Sequence, residues 1–146
     1  MMMMSEKALP GRLLALDVGE KRIGVAMSDE LGWTAQPLMV IERKNIEWDL
    51  AILKKTIEAH QIKKIIVGLP MSLSGKMTEQ TKKVLRFMEA CKKAWSVPME
   101  TWDEALTTQQ AEDVLIEANV SRKKRKKVVD KLAAVFILRS YLEAQR

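Results

Sequence analysis

Acidic side chains stand at three places in the sequence where a carboxylate is unexpected. Asp17 ends an apolar run that is typical of a buried strand, and the pair Asp103-Glu104 ends a second such run. Asp130 lies inside a stretch that is apolar over most of residues 128–138. An unpaired carboxylate at a buried strand end costs several kcal/mol in desolvation unless a cation compensates its charge. These three places are therefore candidate sites of chemistry.

The chemistry that such acids favour is metal-assisted hydrolysis. Carboxylates that cluster repel one another and stay together when a hard divalent cation binds them, which suits Mg²⁺ or Mn²⁺. Two such ions would activate a water and stabilise the leaving oxygen during cleavage of a phosphodiester bond. Each acid alone has a simpler role, because a strand-end aspartate often forms a turn and Asp130 could pair with Lys126 or Lys127 one helical turn back.

A block of consecutive cations precedes Asp130 and accounts for the positive charge of the chain. The chain has 25 basic and 19 acidic residues, a formal net charge of +6. The block comprises Arg122, Lys123, Lys124, Arg125, Lys126 and Lys127. Such a concentrated positive field favours binding to a polyanion, although a solvated helix end is the simpler interpretation. Lys126 and Lys127 lie on the same helix face as Asp130, so phosphate-binding cations would flank the metal site.

Two loops with small residues offer further contacts to phosphate. Residues 17–24 contain glycines where the backbone could approach a phosphate, and Arg22 adds a cation there. Residues 68–75 form a second such loop at a strand end, with Ser72 as its candidate contact. Other catalytic chemistries lack their residues, because the sequence has one histidine, His60, one cysteine, and no arrangement typical of a zinc site or a serine triad.

Length and composition predict one globular domain that spans residues 1–146. A chain of 146 residues can bury a core without disulfides, and 47% hydrophobic with 30% charged residues excludes a disordered or fibrous class. The single Cys91 cannot form an intramolecular disulfide, which fits a reducing, cytoplasmic location. No apolar run approaches the ~18 residues of a membrane span, and the start of the chain lacks the features of a signal peptide.

The pattern of apolar residues predicts the elements that position these acids. Five strands are predicted at residues 13–16, 23–27, 37–41, 62–68 and 98–102. Four helices are predicted at residues 46–60, at 78–95, from Thr107 or Thr108 to 118, and from a cap at Ser121 to 143. The order β-β-β-α-β-α-β-α-α indicates an α/β fold in which a mixed five-stranded sheet has helices on both faces.

Four motifs, in order along the chain, resemble the YqgF/RuvX family of Holliday junction resolvases. They are Leu-Asp-Val-Gly-Glu-Lys-Arg-Ile-Gly-Val-Ala at residues 16–26, Val-Gly-Leu-Pro at 67–70 with Gly75, Trp-Asp-Glu at 102–104 with Leu-Thr-Thr at 106–108, and Val-Asp-Lys-Leu-Ala-Ala at 129–134. The likeness extends over residues 13–142. It implies an RNase H-like fold, a divalent-metal nuclease, and a role in processing the 5′ end of precursor 16S ribosomal RNA.

The resemblance implies roles for the acids already singled out. By position, the catalytic set of the family falls on Asp17, the Asp103-Glu104 pair and Asp130, and the expected metal ligands are Asp17, Glu104 and Asp130. Neighbouring strand residues point to opposite faces, so one member of the Asp103-Glu104 pair is expected to bind the metal. The order Asp, Glu, Asp that related nucleases favour indicates Glu104. Arg22, Ser72 and the basic block are the expected contacts to nucleic acid.

Two positions depart from the pattern of the family. Ala105 stands where the family usually has arginine, and Ser72 stands where it often has asparagine. Loss of that arginine removes a partner for a phosphate or a carboxylate. It leaves open a non-catalytic nucleic-acid-binding or ribosome-assembly factor on the same fold.

The sequence leaves the substrate and the assembly open, and one related fold group has to be weighed. The sugar kinase, Hsp70 and actin group has a similar Asp-x-Gly turn, but it closes a nucleotide cleft between two such domains and this chain provides one. Branched DNA and precursor 16S ribosomal RNA both remain open as substrates, because contacts to phosphate carry no base information. A monomer and a homodimer both remain open.

Overall fold

The structure is a computed structural model that describes residues 11–70, 75–104, 119 and 121–145, with the side chains of residues 125–131 outside that description. Its elements are β1 (Arg12–Val18), β2 (Arg22–Ser28), β3 (Ala35–Glu42), α1 (Ile46–His60), β4 (Ile62–Leu69), α2 (Glu79–Ala94), β5 (Met99–Asp103) and α3 (Arg122–Ala144). All five predicted strands and three of the four predicted helices are confirmed. The remaining predicted helix, which ends at residue 118, lies outside the described residues.

The five strands form one mixed sheet in the order β3-β2-β1-β4-β5. The first three strands pair antiparallel, as the close spacing of the predicted strands indicated. β4 pairs parallel with β1 and β5 pairs parallel with β4. Because parallel strands end on the same side, β1, β4 and β5 all finish at what we term the carboxyl end of the sheet.

Both faces of the sheet are covered, which confirms the predicted α/β architecture. Successive residues of a strand point to opposite faces, and β1 shows this clearly. Leu14 and Leu16 belong to a core formed with α1 and α2, whereas Leu13 and Ala15 belong to a core formed with α3. Asp17 continues the second set, so it lies on the face of the sheet that α3 covers.

Helix α3 runs antiparallel to β4, and two contacts fix that direction. Near the start of β4, Lys64 Nζ donates a hydrogen bond to Tyr141 Oη over 2.8 Å. Near the end of β4, a Cβ atom on Gly68 would collide with the side chain of Ile137. Since Tyr141 follows Ile137 by one helical turn, the amino-terminal half of α3 points toward the carboxyl end of the sheet.

No helix within the described ranges is long and apolar enough to cross a membrane.

The single cysteine, Cys91, is buried in the core between α2 and the sheet. Burial raises the pKa of its thiol to about 12. A thiolate nucleophile at this position is therefore excluded near neutral pH.

Candidate functional site

Two of the predicted acids meet at the carboxyl end of the sheet. Asp17 is the second-last residue of β1, and Glu104 follows β5 directly. Strand β4 separates β1 from β5, so the side chain of Glu104 has to cross the end of β4 to reach Asp17. It does so over Gly68, where a Cβ atom would lie 3.2 Å from Glu104 Oε2. Glycine at this position leaves the space through which the two acids make contact.

The two carboxyl groups interact strongly. Burial, the negative charge of Asp17 and a hydrogen bond between the two side chains together raise the pKa of Glu104 to about 8. The charge of Asp103 adds to the same effect. Near neutral pH, in the absence of a cation, Glu104 is therefore protonated, and its O–H donates a hydrogen bond to the Asp17 carboxylate.

Asp103 and Glu104 occupy different surroundings although they are adjacent. Asp103 is exposed and ends β5 opposite Leu69 of β4, whereas the Glu104 carboxyl is largely enclosed and in contact with Asp17. This difference agrees with the argument that neighbouring positions cannot both point at the same partner. Glu104 is the member of the pair that the structure brings to Asp17.

Asp130 lies in the half of α3 that points toward the carboxyl end of the sheet, and its side chain lies outside the described residues. Its position follows from Ala134, one turn later on the same helix face. A Cβ atom on Gly24 would lie 3.8 Å from the Cβ of Ala134 and 3.7 Å from the Cβ of Asp17, with which Gly24 pairs across the sheet. The backbone of Asp130 is thus ~6 Å beyond Ala134 along α3, in the direction of the acids.

Hydrogen bonds from two neighbouring segments hold the turn that follows Asp17. Gly19 N donates to Arg22 O over 2.8 Å and closes the turn. Arg43 Nη1 donates to Gly19 O over 2.8 Å, and Gln80 Nε2 of α2 donates to Val18 O over 3.1 Å. Because these bonds fix the backbone at the end of β1, they also fix the direction in which Asp17 points.

Arg43 and its partner Asp49 were not identified from the sequence. Asp49 is buried on the core face of α1, and its Oδ2 accepts from Arg43 Nε at 2.9 Å. The one local signal was an acid four residues before Leu53, on the apolar face of an amphipathic helix, where a buried charge requires a cationic partner. Nothing local indicated that this partner would be Arg43, or that Arg43 would also bind the turn after Asp17.

The predicted contacts to nucleic acid are only partly described. Arg22 lies at the start of β2, beside the turn, where it is exposed and forms an ion pair with Glu42 over 3.0 Å. Arg122 and Lys123 are exposed in the first turn of α3. The remaining predicted contacts have side chains outside the described residues, and they are Ser72, Arg125, Lys126 and Lys127.

The chain is similar to known proteins over most of its length. The family model RuvX, described as Holliday junction resolvase, matches residues 11–144. A protein of Desulforamulus reducens named "Putative pre-16S rRNA nuclease" is 50% identical over 133 residues, which are 91% of this chain and 97% of that protein. A protein of the same name from Clostridium acetobutylicum is 49% identical over 133 residues, which are 91% of this chain and 98% of that protein.

A solved structure shows the same fold. The RuvC protein of T. thermophilus, in complex with a Holliday junction substrate, aligns with a TM-score of 0.58 at 15% identity, over 92% of this chain and 95% of that chain. At this identity the likeness concerns the fold, and the family follows from the sequence matches. The chain therefore belongs to the RuvX family and is a nuclease with an RNase H-like fold.

Proposed function

We propose that this nuclease depends on a divalent cation, Mg²⁺ or Mn²⁺, held by Asp17, Glu104 and Asp130. The observation that carries the proposal is the contact between Asp17 and Glu104 at the carboxyl end of the sheet, where burial and the negative charge of Asp17 raise the pKa of Glu104. Asp130 is assigned as the third ligand from its backbone position in α3. Within the described residues alone, no group of three metal-binding side chains is complete.

The donor set fits a hard cation. Carboxylate oxygens are the ligands that Mg²⁺ and Mn²⁺ prefer, and a pair close enough to share a proton can exchange that proton for a metal ion. The site offers no thiolate or imidazole among its described residues, which disfavours zinc. The bound cation would supply a nucleophilic hydroxide and stabilise charge on the phosphate. Glu104 would have to give up its proton to hold the cation, and the hydrogen bonds that hold the turn after Asp17 would keep the Asp17 carboxylate in position.

We propose that the substrate is precursor 16S ribosomal RNA, cut near its 5′ end. The choice of precursor 16S ribosomal RNA follows the names of the two relatives that are 49–50% identical over nearly their whole length. Cutting near the 5′ end is what the resemblance of the four motifs to the family implies. Resolution of branched DNA is the second candidate, favoured by the description of the family. An RNA-processing role also fits a cytoplasmic location. A monomer suffices to trim an RNA end, whereas resolving a junction requires two cuts and hence two active sites.

One experiment separates these functions and the non-catalytic alternative. The purified protein is incubated with Mg²⁺, Mn²⁺ or a chelator, and with either labelled precursor RNA or a labelled four-way DNA junction, while its mass in solution is measured. We expect metal-dependent cutting of the RNA. Binding without cutting of either substrate, equally strong in chelator, would instead support the non-catalytic factor that Ala105 leaves open.

Glu104 and Asp103 should differ sharply in their contribution to cleavage. Replacing Glu104 by Gln removes a metal ligand, so we expect cleavage to fall at least about a hundredfold. Replacing Asp103 by Asn removes an exposed charge, so we expect a loss of at most about tenfold. The measurement is the single-turnover cleavage rate at saturating Mg²⁺ for both variants. A larger loss for Asp103→Asn would reverse the assignment of the two residues.

The basic block should make binding of nucleic acid strongly dependent on salt. If three or four phosphates of a duplex are neutralised, log affinity should fall with log salt concentration at a slope of about −3. Replacing both Lys126 and Lys127 by Ala should flatten that slope by about one to two units, equally for different sequences.

A matched control for this effect is the double replacement of Lys54 and Lys55 by Ala, an exposed pair on α1. It makes the same change in net charge away from α3, so the slope should stay close to that of the parent. Equal slopes for the parent and the Lys126/Lys127 variant, measured by titration at several salt concentrations, would show that the block is a solvated helix end.

A further inference from the structure

An exposed aromatic ring with a cation above it lies in the first turn of α1. Trp48 has 42% of its surface exposed, although tryptophan is a residue that cores and interfaces normally cover. Lys44 Nζ lies 4.0 Å from the centroid of its indole ring. The backbone here is well fixed, because Asn45 caps the helix by accepting a hydrogen bond from Trp48 N over 2.8 Å.

This ring and cation are tied to the turn that follows Asp17. Arg43, the residue before Lys44, donates its backbone N–H to Lys21 O over 2.9 Å. Its side chain binds Gly19 O in the same turn. Residues 43–48 and the turn at residues 19–21 are therefore joined at the carboxyl end of the sheet, and we term them together the α1-side surface. This surface lies beside α1, whereas the Asp17 side chain lies on the face of the sheet that α3 covers.

The α1-side surface carries charges that suit a phosphate backbone. Lys21 and Lys44 are exposed there. The neighbouring acids Glu20, Glu42 and Asp49 have cationic partners in Lys83, Arg22 and Arg43, respectively. Glu47 is the exposed acid of the first turn that has no such ion pair in the described part of the chain. An exposed tryptophan beside lysines is the combination with which proteins bind unpaired nucleotides.

We propose that Trp48 stacks on an unpaired base of the substrate strand, with Lys44 and Lys21 contacting its phosphates. The proposal rests on the proposed nuclease function and names the kind of substrate that would be bound: a strand with an unpaired nucleotide that reaches the α1 side of the Asp17 turn. Only an unpaired base can use the ring, because bases in a duplex stack on one another. An aromatic ring can stack on any base, so this contact would favour an unpaired strand over a duplex without distinguishing between base sequences.

The test compares binding of a single-stranded and a duplex oligonucleotide of the same sequence, in chelator so that nothing is cut. Replacing Trp48 by Ala should weaken binding of the single strand about tenfold and change binding of the duplex less than about twofold. Trp48→Phe keeps a ring and should recover most of the loss. Binding is measured without cleavage, so the result for Trp48 does not depend on whether the proposed metal site cuts the substrate.

Trp33 provides a matched control. It is 65% exposed, more than Trp48, but it lies in the loop between β2 and β3 at the opposite end of the sheet. Trp33→Ala should leave both affinities unchanged, and single-stranded RNA should quench the tryptophan fluorescence of Trp33→Phe but much less that of Trp48→Phe. Unchanged single-strand affinity in a folded Trp48→Ala protein, or an equal loss for the duplex, overturns the proposal.

Discussion

Replacing Asp17 by Asn should reduce cleavage at least about a thousandfold while the protein stays folded. Asparagine preserves the shape of the side chain but removes the charge that the cation needs. It also removes the negative charge that opposes ionisation of Glu104 in the folded protein, so the free energy of unfolding should stay the same or rise near neutral pH. Single-turnover cleavage of labelled RNA, with thermal unfolding of the same sample, measures both effects.

The same substitution at Asp29 is the control. Asp29 Oδ1 accepts hydrogen bonds from the backbone N–H groups of Trp33 and Thr34, in the loop at the opposite end of the sheet. An amide oxygen can still accept these bonds, so Asp29→Asn should cut within about twofold of the parent rate. If carefully purified Asp17→Asn protein cuts as fast as the parent, the nuclease activity belongs to another site or to a contaminant.

The fold could be predicted from the sequence wherever burial leaves a periodic pattern. The helix at residues 46–60 was predicted with its observed bounds, since its apolar residues recur at helical spacing. Strand β3 was predicted at 37–41 but spans Ala35–Glu42. It lies at the side of the sheet and most of its residues are at least partly exposed, so no change in hydrophobicity marks its ends.

The contact between Asp17 and Glu104 could be anticipated from the sequence only in part. Asp17 and the Asp103-Glu104 pair stood out because a carboxyl group at a buried strand end needs compensation, and the family resemblance indicated Glu104 within the pair. That Glu104 reaches Asp17 over Gly68 depends on the order of the strands, which places β4 between their two strands. The bond from Arg43 to Gly19 joins residues 24 apart, and no local pattern encodes such a pairing.

The contact between Asp17 and Glu104 should make the stability of the metal-free protein fall as pH rises. An unfolded glutamate ionises near its ordinary value of 4.5, whereas the pKa of Glu104 in the folded protein is raised to about 8. Between these values the folded state holds a proton that the unfolded state has lost. The free energy of unfolding therefore decreases as the pH rises from about 5 to 8. The Glu104→Gln protein has no ionisable group at this position and should not show this decrease.

The measurement is the free energy of unfolding in denaturant, with chelator, at pH 5 and pH 8. The parent and Glu104→Gln should be similar at pH 5, and the variant should be more stable at pH 8 by about 2–4 kcal/mol. Glu100→Gln is the control. A hydrogen bond from Lys64 lowers the pKa of Glu100, so the contribution of this carboxylate to the free energy of unfolding is complete above pH 4.5 and stays constant from pH 5 to pH 8.

Adding Mg²⁺ should then remove most of the difference between the two proteins at pH 8. A cation held by Asp17 and Glu104 would compete with that proton, so it should stabilise the parent by about 3 kcal/mol at a hundred times its dissociation constant. Glu104→Gln lacks a ligand and should gain much less. At pH 5 the proton competes with the cation, and the stabilisation of the parent should shrink. Parallel stabilities for parent and variant across pH and Mg²⁺ concentration would mean that Glu104 neither opposes Asp17 nor binds the cation.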